Sequence, residues 1–287
     1  MTFDRRITPF RPDLADESLR GKVEAERFAC GALKRIMAHC ISLHRQPSHD
    51  APIDTQAIFG ETVRVYDEHD GWAWVQLQND SYVGYVPSAV LGAADIEPTH
   101  RVGAIRTFVY PGPSLKLPLS GHLPLNALVS VVKQEGDYAE LATGGFVFAP
   151  HIVGLDAKEP DFVSVAERFL HIPYLWGGKS SLGLDCSGLA QTALRAAGIA
   201  ALRDSDMQEE QLGTPVEIRP DLGGLKRGDL VFWKGHVGMM QDETRLLHAT
   251  GFTMTVYSES LRVADQRILS CEGKLITSIK RLPSLGG

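Results

Sequence analysis

The spacing of apolar positions changes character twice along the chain. Up to about residue 48, Val23, Phe28, Leu33, Ile36, Met37 and Cys40 recur at helical intervals, predicting an extended arm followed by one helix. From Glu61 to Pro150 the period shortens to two, and tight turns separate short runs such as Trp72–Leu77 and Tyr138–Leu141, which read as strands. Beyond residue 155 both periods occur. Phe162, Val163, Val165, Ala166, Phe169 and Leu170 fall on a helix that Ser164–Glu167 could cap as a capping box and that Ile172-Pro173 ends. A second helix runs from Cys186 to Ala197, with Gly198 placed as the residue that closes it. Strands are then expected at Asp229–Trp233, Val237–Met240, Leu246–Ala249, Met254–Ser258 and Ile276–Lys280. Helices ahead of an antiparallel sheet make this part α+β.

The middle of the chain repeats itself. Glu61–Tyr66, Trp72–Leu77 and Ser81–Pro87 are echoed by Leu128–Val132, Tyr138–Leu141 and Gly144–Pro150, each set closing on an aromatic-glycine-valine type of strand. That order resembles bacterial SH3-like domains and implies two small β-barrels. Gln46–Pro52 and Gly92–Pro98 are punctuated as linkers. The expected organisation is therefore an arm and helix over 1–50, SH3-like domains over 51–92 and 98–154, and a larger domain over 155–287.

Composition narrows the function classes. A net charge of −6 argues against nucleic acid as the main partner, because phosphate binding calls for a basic excess. No run approaches the roughly 20 apolar residues of a membrane span, and the N-terminus lacks the apolar core of a secretory signal. Cys30, Cys40, Cys186 and Cys271 are too scattered for a disulfide framework, so a reducing cytoplasm is expected.

Cys186, in Leu184-Asp185-Cys186-Ser187-Gly188-Leu189, carries the chemistry. It opens a helix, where the backbone dipole favours a thiolate, although Asp185 ahead of it could be an ordinary N-cap. His236 and His248 are the partners. A symmetric turn centred on Asp242 would set 236 opposite 248 with Cβ atoms roughly 4.5–5.5 Å apart, close enough for one ring to orient the other. A solvated pair of histidines or a zinc site with Cys186 are the alternatives, the latter without the short ligand spacings zinc usually shows. Tyr174 offers a phenol to an oxyanion or to substrate backbone, and the Cys186 N–H offers a second donor.

Taken together, Tyr174-x-Trp176-Gly177-Gly178, Asp185–Leu189, Gly228–Phe232 and Gly235–Gly238 resemble the NlpC-type, papain-like cysteine peptidases of bacterial peptidoglycan. The resemblance implies Cys186 as nucleophile, His236 as general base and then acid, and His248 as the residue orienting it, with no metal or organic cofactor. With SH3-like domains in front, the chain is similar to the γ-D-glutamyl-L-diamino acid endopeptidases, which implies peptidoglycan stem peptides with a free N-terminal L-alanine as substrates. By the same resemblance Asp185, Ser187 and Tyr174 contact the substrate. An acid and a tyrosine of the first SH3-like domain, Glu61 and Tyr82 (with Tyr85 an equal rival), meet its amine as that domain caps the cleft. A cell-wall binding protein with an inert catalytic domain, or a thiol-dependent amidase or acyltransferase, would share much of this pattern.

Overall fold

A computed structural model describes residues 3–283. The chain divides between Ala157 and Lys158 into two compact units. Among the described residues no helix is long and apolar enough to cross a membrane.

Among its described residues the first unit is strand and turn with three short 3-10 segments and no α-helix. Its seven-stranded sheet runs in the order Ile53–Ile58, Cys40–His44, Val83–Pro87, Trp72–Leu77, Thr62–His69, Ala32–Ile36, Leu91–Ala93. Ile36, Leu43, Val63, Val75, Leu77 and Val86 form its core. The second repeat supplies a five-stranded sheet, Gly121–Pro124, Arg106–Tyr110, Phe146–Phe148, Tyr138–Leu141 and Val131–Glu135, with its own core around Val102, Leu123, Val129 and Val147.

The helix expected between residues 23 and 40 is absent, and strands stand in its place. Two of the positions that made the helical stripe, Leu33 and Met37, are 50% and 37% exposed. Ala32–Ile36 instead pairs with Thr62–Val65 on one side and Leu91–Ala93 on the other. Sheet pairing overrides a short periodic coincidence. The approach is tight at Gly31, where φ is +65° and a Cβ would meet the Arg64 side chain at 2.6 Å. The sheet thus draws in strands ahead of residue 51, and Gln46–Pro52 spans a turn between two of them.

The second unit is a six-stranded antiparallel sheet in the order Thr214–Val216, Ile276–Arg281, Leu230–Trp233, His236–Met240, Arg245–Thr250, Thr255–Ser260. Four helices accompany it: α1 (Phe162–Glu167), α2 (Cys186–Ala196), α3 (Ser205–Gln211) and α4 (Leu261–Glu272). The cap of α1 is Asp161, which accepts from the Val163 N–H at 3.0 Å and from the Ser164 hydroxyl at 2.6 Å, so Ser164 donates to the cap rather than being it. Gly198 follows α2 with φ +77°, as its position predicts.

Period-two alternation sorts the sheet residues into two faces. Val231, Trp233, Met240 and Leu246 form a core with Leu261, Ala264 and Ile268 of α4. The alternate set, including Phe232, Val237, Met239 and Leu247, is equally buried, and α2 packs on the strands that carry Val237 and Leu247. Asp229, ahead of the Leu230–Trp233 strand, is fully buried and takes 2.7 and 2.6 Å bonds from Arg281 of the neighbouring strand.

Candidate active site

Cys186 is the first residue of α2. Asp185 caps that helix, its Oδ1 accepting from the Gly188 N–H at 2.7 Å and its Oδ2 from the Gly177 N–H at 2.8 Å. One of these donors, Gly188, is a glycine for a reason of space. A Cβ at Gly188 would stand 2.1 Å from the Gly178 carbonyl oxygen, so the first turn of α2 can lie against the preceding loop only without one.

Below this turn sits Arg203, a residue the sequence patterns did not single out. It is fully buried. Its guanidinium donates to Asp185 Oδ2 at 2.7 Å, to Ser187 Oγ at 2.9 Å and to the Gly178 carbonyl at 3.4 Å. Gln208 of α3, also buried, donates to the Ser187 carbonyl at 3.0 Å and the Leu202 carbonyl at 2.9 Å. Asp185 and Ser187 are thus the inner brace of the nucleophile turn as well as its polar neighbours. Asp204–Gln208 had no task readable from sequence; here it forms the start of α3 and delivers Gln208. An arginine amid polar residues looks like surface until the fold closes over it.

The backbone N–H groups of Val237 and Ser187 point at the Cys186 sulfur. Burial pushes the thiol up to about 12, and the Asp185 carboxylate adds to the rise; those two N–H groups and Arg203 pull the other way and lose. The helix N-terminus therefore does not make a resting thiolate, because desolvation of the anion outweighs it. Tyr174 is half-buried close by; burial, then the negative forms of Cys186 and Asp185, push its phenol upward.

The histidines meet, though not as a directly opposed pair. The ladder between their strands consists of Met239↔Leu247 and Met240↔Leu246, a register that sets Gly238 rather than His236 across from His248. The turn is centred on Glu243, because Asp242 Oδ1 accepts from the N–H groups of Thr244 and Arg245 at 2.7 and 2.9 Å and pulls the bend one residue on. A slip of two keeps both rings on one face, and a diagonal pair is still within reach of large side chains. His236 Nε2 and His248 Nδ1 are 2.8 Å apart, with ring centroids at 5.0 Å. Burial and then the His248 charge hold the His236 imidazole well below 6.5, so it rests neutral.

The line continues past His248. Its Nε2 lies 3.0 Å from Glu259 Oε1, and Arg267 of α4 bonds the same oxygen. Burial pushes the Glu259 carboxyl up, but the hydrogen bond from His248 and the charge of Arg267 outweigh it and leave it ionised. Neither residue stood out in the sequence: Glu259 ends the Thr255–Ser260 strand, and Arg267 lies on α4, a helix the expected elements did not include. Among the described residues no group of three His, Cys, Asp or Glu side chains is arranged to hold a metal ion.

In the first unit, Glu61 is fully buried and its Oε2 accepts from the Ile58 N–H at 3.0 Å; its other oxygen takes the Asn79 amide. Tyr82 belongs to the core of the seven-stranded sheet. Tyr85 lies nearer the surface, its hydroxyl 3.0 Å from Arg11.

Comparison with known proteins agrees with this arrangement. Residues 43–91 match the bacterial dipeptidyl-peptidase Sh3 domain, and residues 171–270 match the NlpC/P60 family. The chain is similar to dipeptidyl-peptidase 6 of Lysinibacillus sphaericus, 26% identical over 240 residues that cover 75% of this chain and 86% of that one. It is also similar to a gamma-D-glutamyl-L-lysine dipeptidyl-peptidase of Bacillus subtilis, 27% identical over 251 residues, 74% of this chain and 80% of the relative. A crystal structure of an NlpC/P60 family protein from Bacillus cereus superposes with a TM-score of 0.72 at 21% identity, covering 88% of this chain and all of that one, which shows a shared fold. A buried cysteine opening a helix over an antiparallel sheet, following an SH3-like domain in the chain, is thus the setting of a known enzyme class: the chain carries an NlpC/P60 domain and is a cysteine peptidase.

Proposed function

We propose that this peptidase hydrolyses the bond between γ-D-glutamate and the diamino acid of peptidoglycan stem peptides that carry a free N-terminal L-alanine, releasing L-Ala-γ-D-Glu. The observation that carries the proposal is the hydrogen-bonded His236–His248 pair on the strand whose Val237 N–H reaches the Cys186 sulfur. Cys186 is the nucleophile. As its sulfur bonds to the γ-carbonyl carbon, the thiol proton passes to the bare nitrogen of His236, so the neutral resting pair separates charge only during attack. The oxyanion takes hydrogen bonds from the Cys186 N–H and the Tyr174 phenol. The C–N bond then breaks as His236 returns its proton to the departing α-amine of the diamino acid. Water, deprotonated by His236, cleaves the thioester and regenerates the thiol.

Asp185 and Ser187, held by Arg203, line the acyl side of the substrate in this proposal. Glu61 and Tyr82 are assigned to the substrate amine on the resemblance alone, as both are buried within the first unit and Glu61 there accepts from Ile58 and Asn79. The fragments would come from wall turnover and be trimmed in the cytoplasm, a compartment that keeps the nucleophile reduced.

Mass spectrometry of L-Ala-γ-D-Glu-diaminopimelate and its N-acetylated form, incubated with wild type and Cys186→Ala, tests the proposal. Dipeptide release from the free-amine form alone, lost in the variant, is expected. Equal turnover of both forms removes the amine requirement, and release by the variant removes the nucleophile.

A further inference from the structure

The hydrogen-bond line does not stop at the residue expected to orient the base. We propose that Glu259, held by Arg267, is a positioning residue that fixes the proton of His248 on Nε2 and thereby leaves Nδ1 of His236 bare to serve as the base.

The logic is one of donors and acceptors. An ionised carboxylate can only accept, so the 3.0 Å contact between His248 Nε2 and Glu259 requires a proton on that nitrogen. A neutral imidazole carries one proton, which leaves His248 Nδ1 as an acceptor. The 2.8 Å contact to His236 must then be a bond donated by His236 Nε2, and the remaining nitrogen of His236 holds the lone pair. Reverse the first tautomer and the second reverses with it: His236 would present an N–H to the thiol and could take no proton.

A carboxylate beside an imidazole also favours the charged ring, which donates from both nitrogens and disables the base in the same way. Arg267 offsets that pull. It bonds Glu259 and is itself fixed over the Phe252 ring at 4.2 Å. The other groups facing this line are Tyr257, paired with His248 across the strands, Asp265, bonded to the Trp233 indole beside His236, and Lys274, close enough to act on His236. Glu259 alone touches His248 Nε2 with an acceptor among them.

This inference rests on the proposed roles of Cys186 and His236, and two readouts keep the questions apart. Two-bond proton–nitrogen spectra of the labelled full chain report the tautomers without substrate; both histidines are expected to carry their proton on Nε2. Glu259→Leu is expected to shift His248 toward the Nδ1 form and to lower kcat by about 10–100-fold with KM unchanged. Glu259→Gln keeps an acceptor and restores kcat to within about threefold of wild type. Arg267→Met leaves the carboxylate unopposed and moves the acid limb of kcat/KM upward by about one pH unit. A folded Glu259→Leu protein with wild-type tautomers and kcat overturns the proposal. Should that variant not fold, an unmoved acid limb in Arg267→Met overturns it instead. Turnover that survives in Cys186→Ala sinks the proposed function, while the spectra still decide the tautomer.

Discussion

Replacing Arg203 by methionine should remove the brace beneath the nucleophile turn, and its cost can be worked from the contacts. Breaking one side of a buried ion pair costs about 3–5 kcal/mol, chiefly because the surviving charge loses its partner. Here Asp185 keeps two backbone donors, from Gly177 and Gly188, so the lower end applies, about 3 kcal/mol. For a unit of this size, that corresponds to a fall in unfolding temperature of about 10 °C. Scanning calorimetry of the full chain would resolve the transition of the second unit and measure the shift. Arg203→Lys keeps the charge but cannot span Asp185, Ser187 and the Gly178 carbonyl together, and should fall between the two. Asp185→Asn should be costly as well, since it strands the guanidinium, and the double variant should cost less than the two singles combined by about 1–3 kcal/mol. Strict additivity, or an Arg203→Met transition within a degree of wild type, would refute the claim that this pair holds the turn.

Three further outcomes are expected. Because burial keeps His236 neutral to well below 6.5, kcat/KM should persist below that pH and be lost only as pH falls through the lowered value; a fall centred at 6.5, measured on the free-amine tripeptide, would contradict it. Protonating His236 also favours the unfolded chain, so stability from this group is full above pH about 6.5 and declines below it, visible as a pH-dependent melting temperature. Gly188→Ala puts a methyl group against the Gly178 carbonyl and should destabilise by about 1–3 kcal/mol while abolishing turnover, read by calorimetry and dipeptide release. Asp229→Ala, which leaves the partly exposed Arg281 only the Gly224 carbonyl, should cost about 1–3 kcal/mol in denaturant unfolding without altering KM.

How far the sequence could be read followed from how local each signal was. Asp185 and Gly198 bracket α2 with a cap and a stop, all within one stretch, and the helix lies there. The five core strands of the second unit lie within one or two residues of the expected positions. Residues 23–40 read as a helix because six apolar side chains matched a helical period, while the strands that Ala32–Ile36 pairs with, Thr62–Val65 and Leu91–Ala93, are distant in sequence. The α4 helix was legible and missed: Leu261, Ala264 and Ile268 recur at helical spacing between Ser260 and a left-handed Gly273. Cys271 lies exposed on its last turn. Arg203, Gln208 and Glu259 had no such signal, since a polar residue declares itself buried only through partners the chain brings from elsewhere.

The bend at residues 241–245 carries a constraint on which versions of this protein can exist. Its Asx contact shifted the pairing by two positions, and the imidazole pair survived because an even displacement returns every side chain to its own side of the pleat. A slip of this pairing by one residue would instead turn His248 to the opposite face, away from Glu259. Changes in this loop are therefore tolerable only where they leave the Met239–Leu247 pairing in place or move it by an even number of residues.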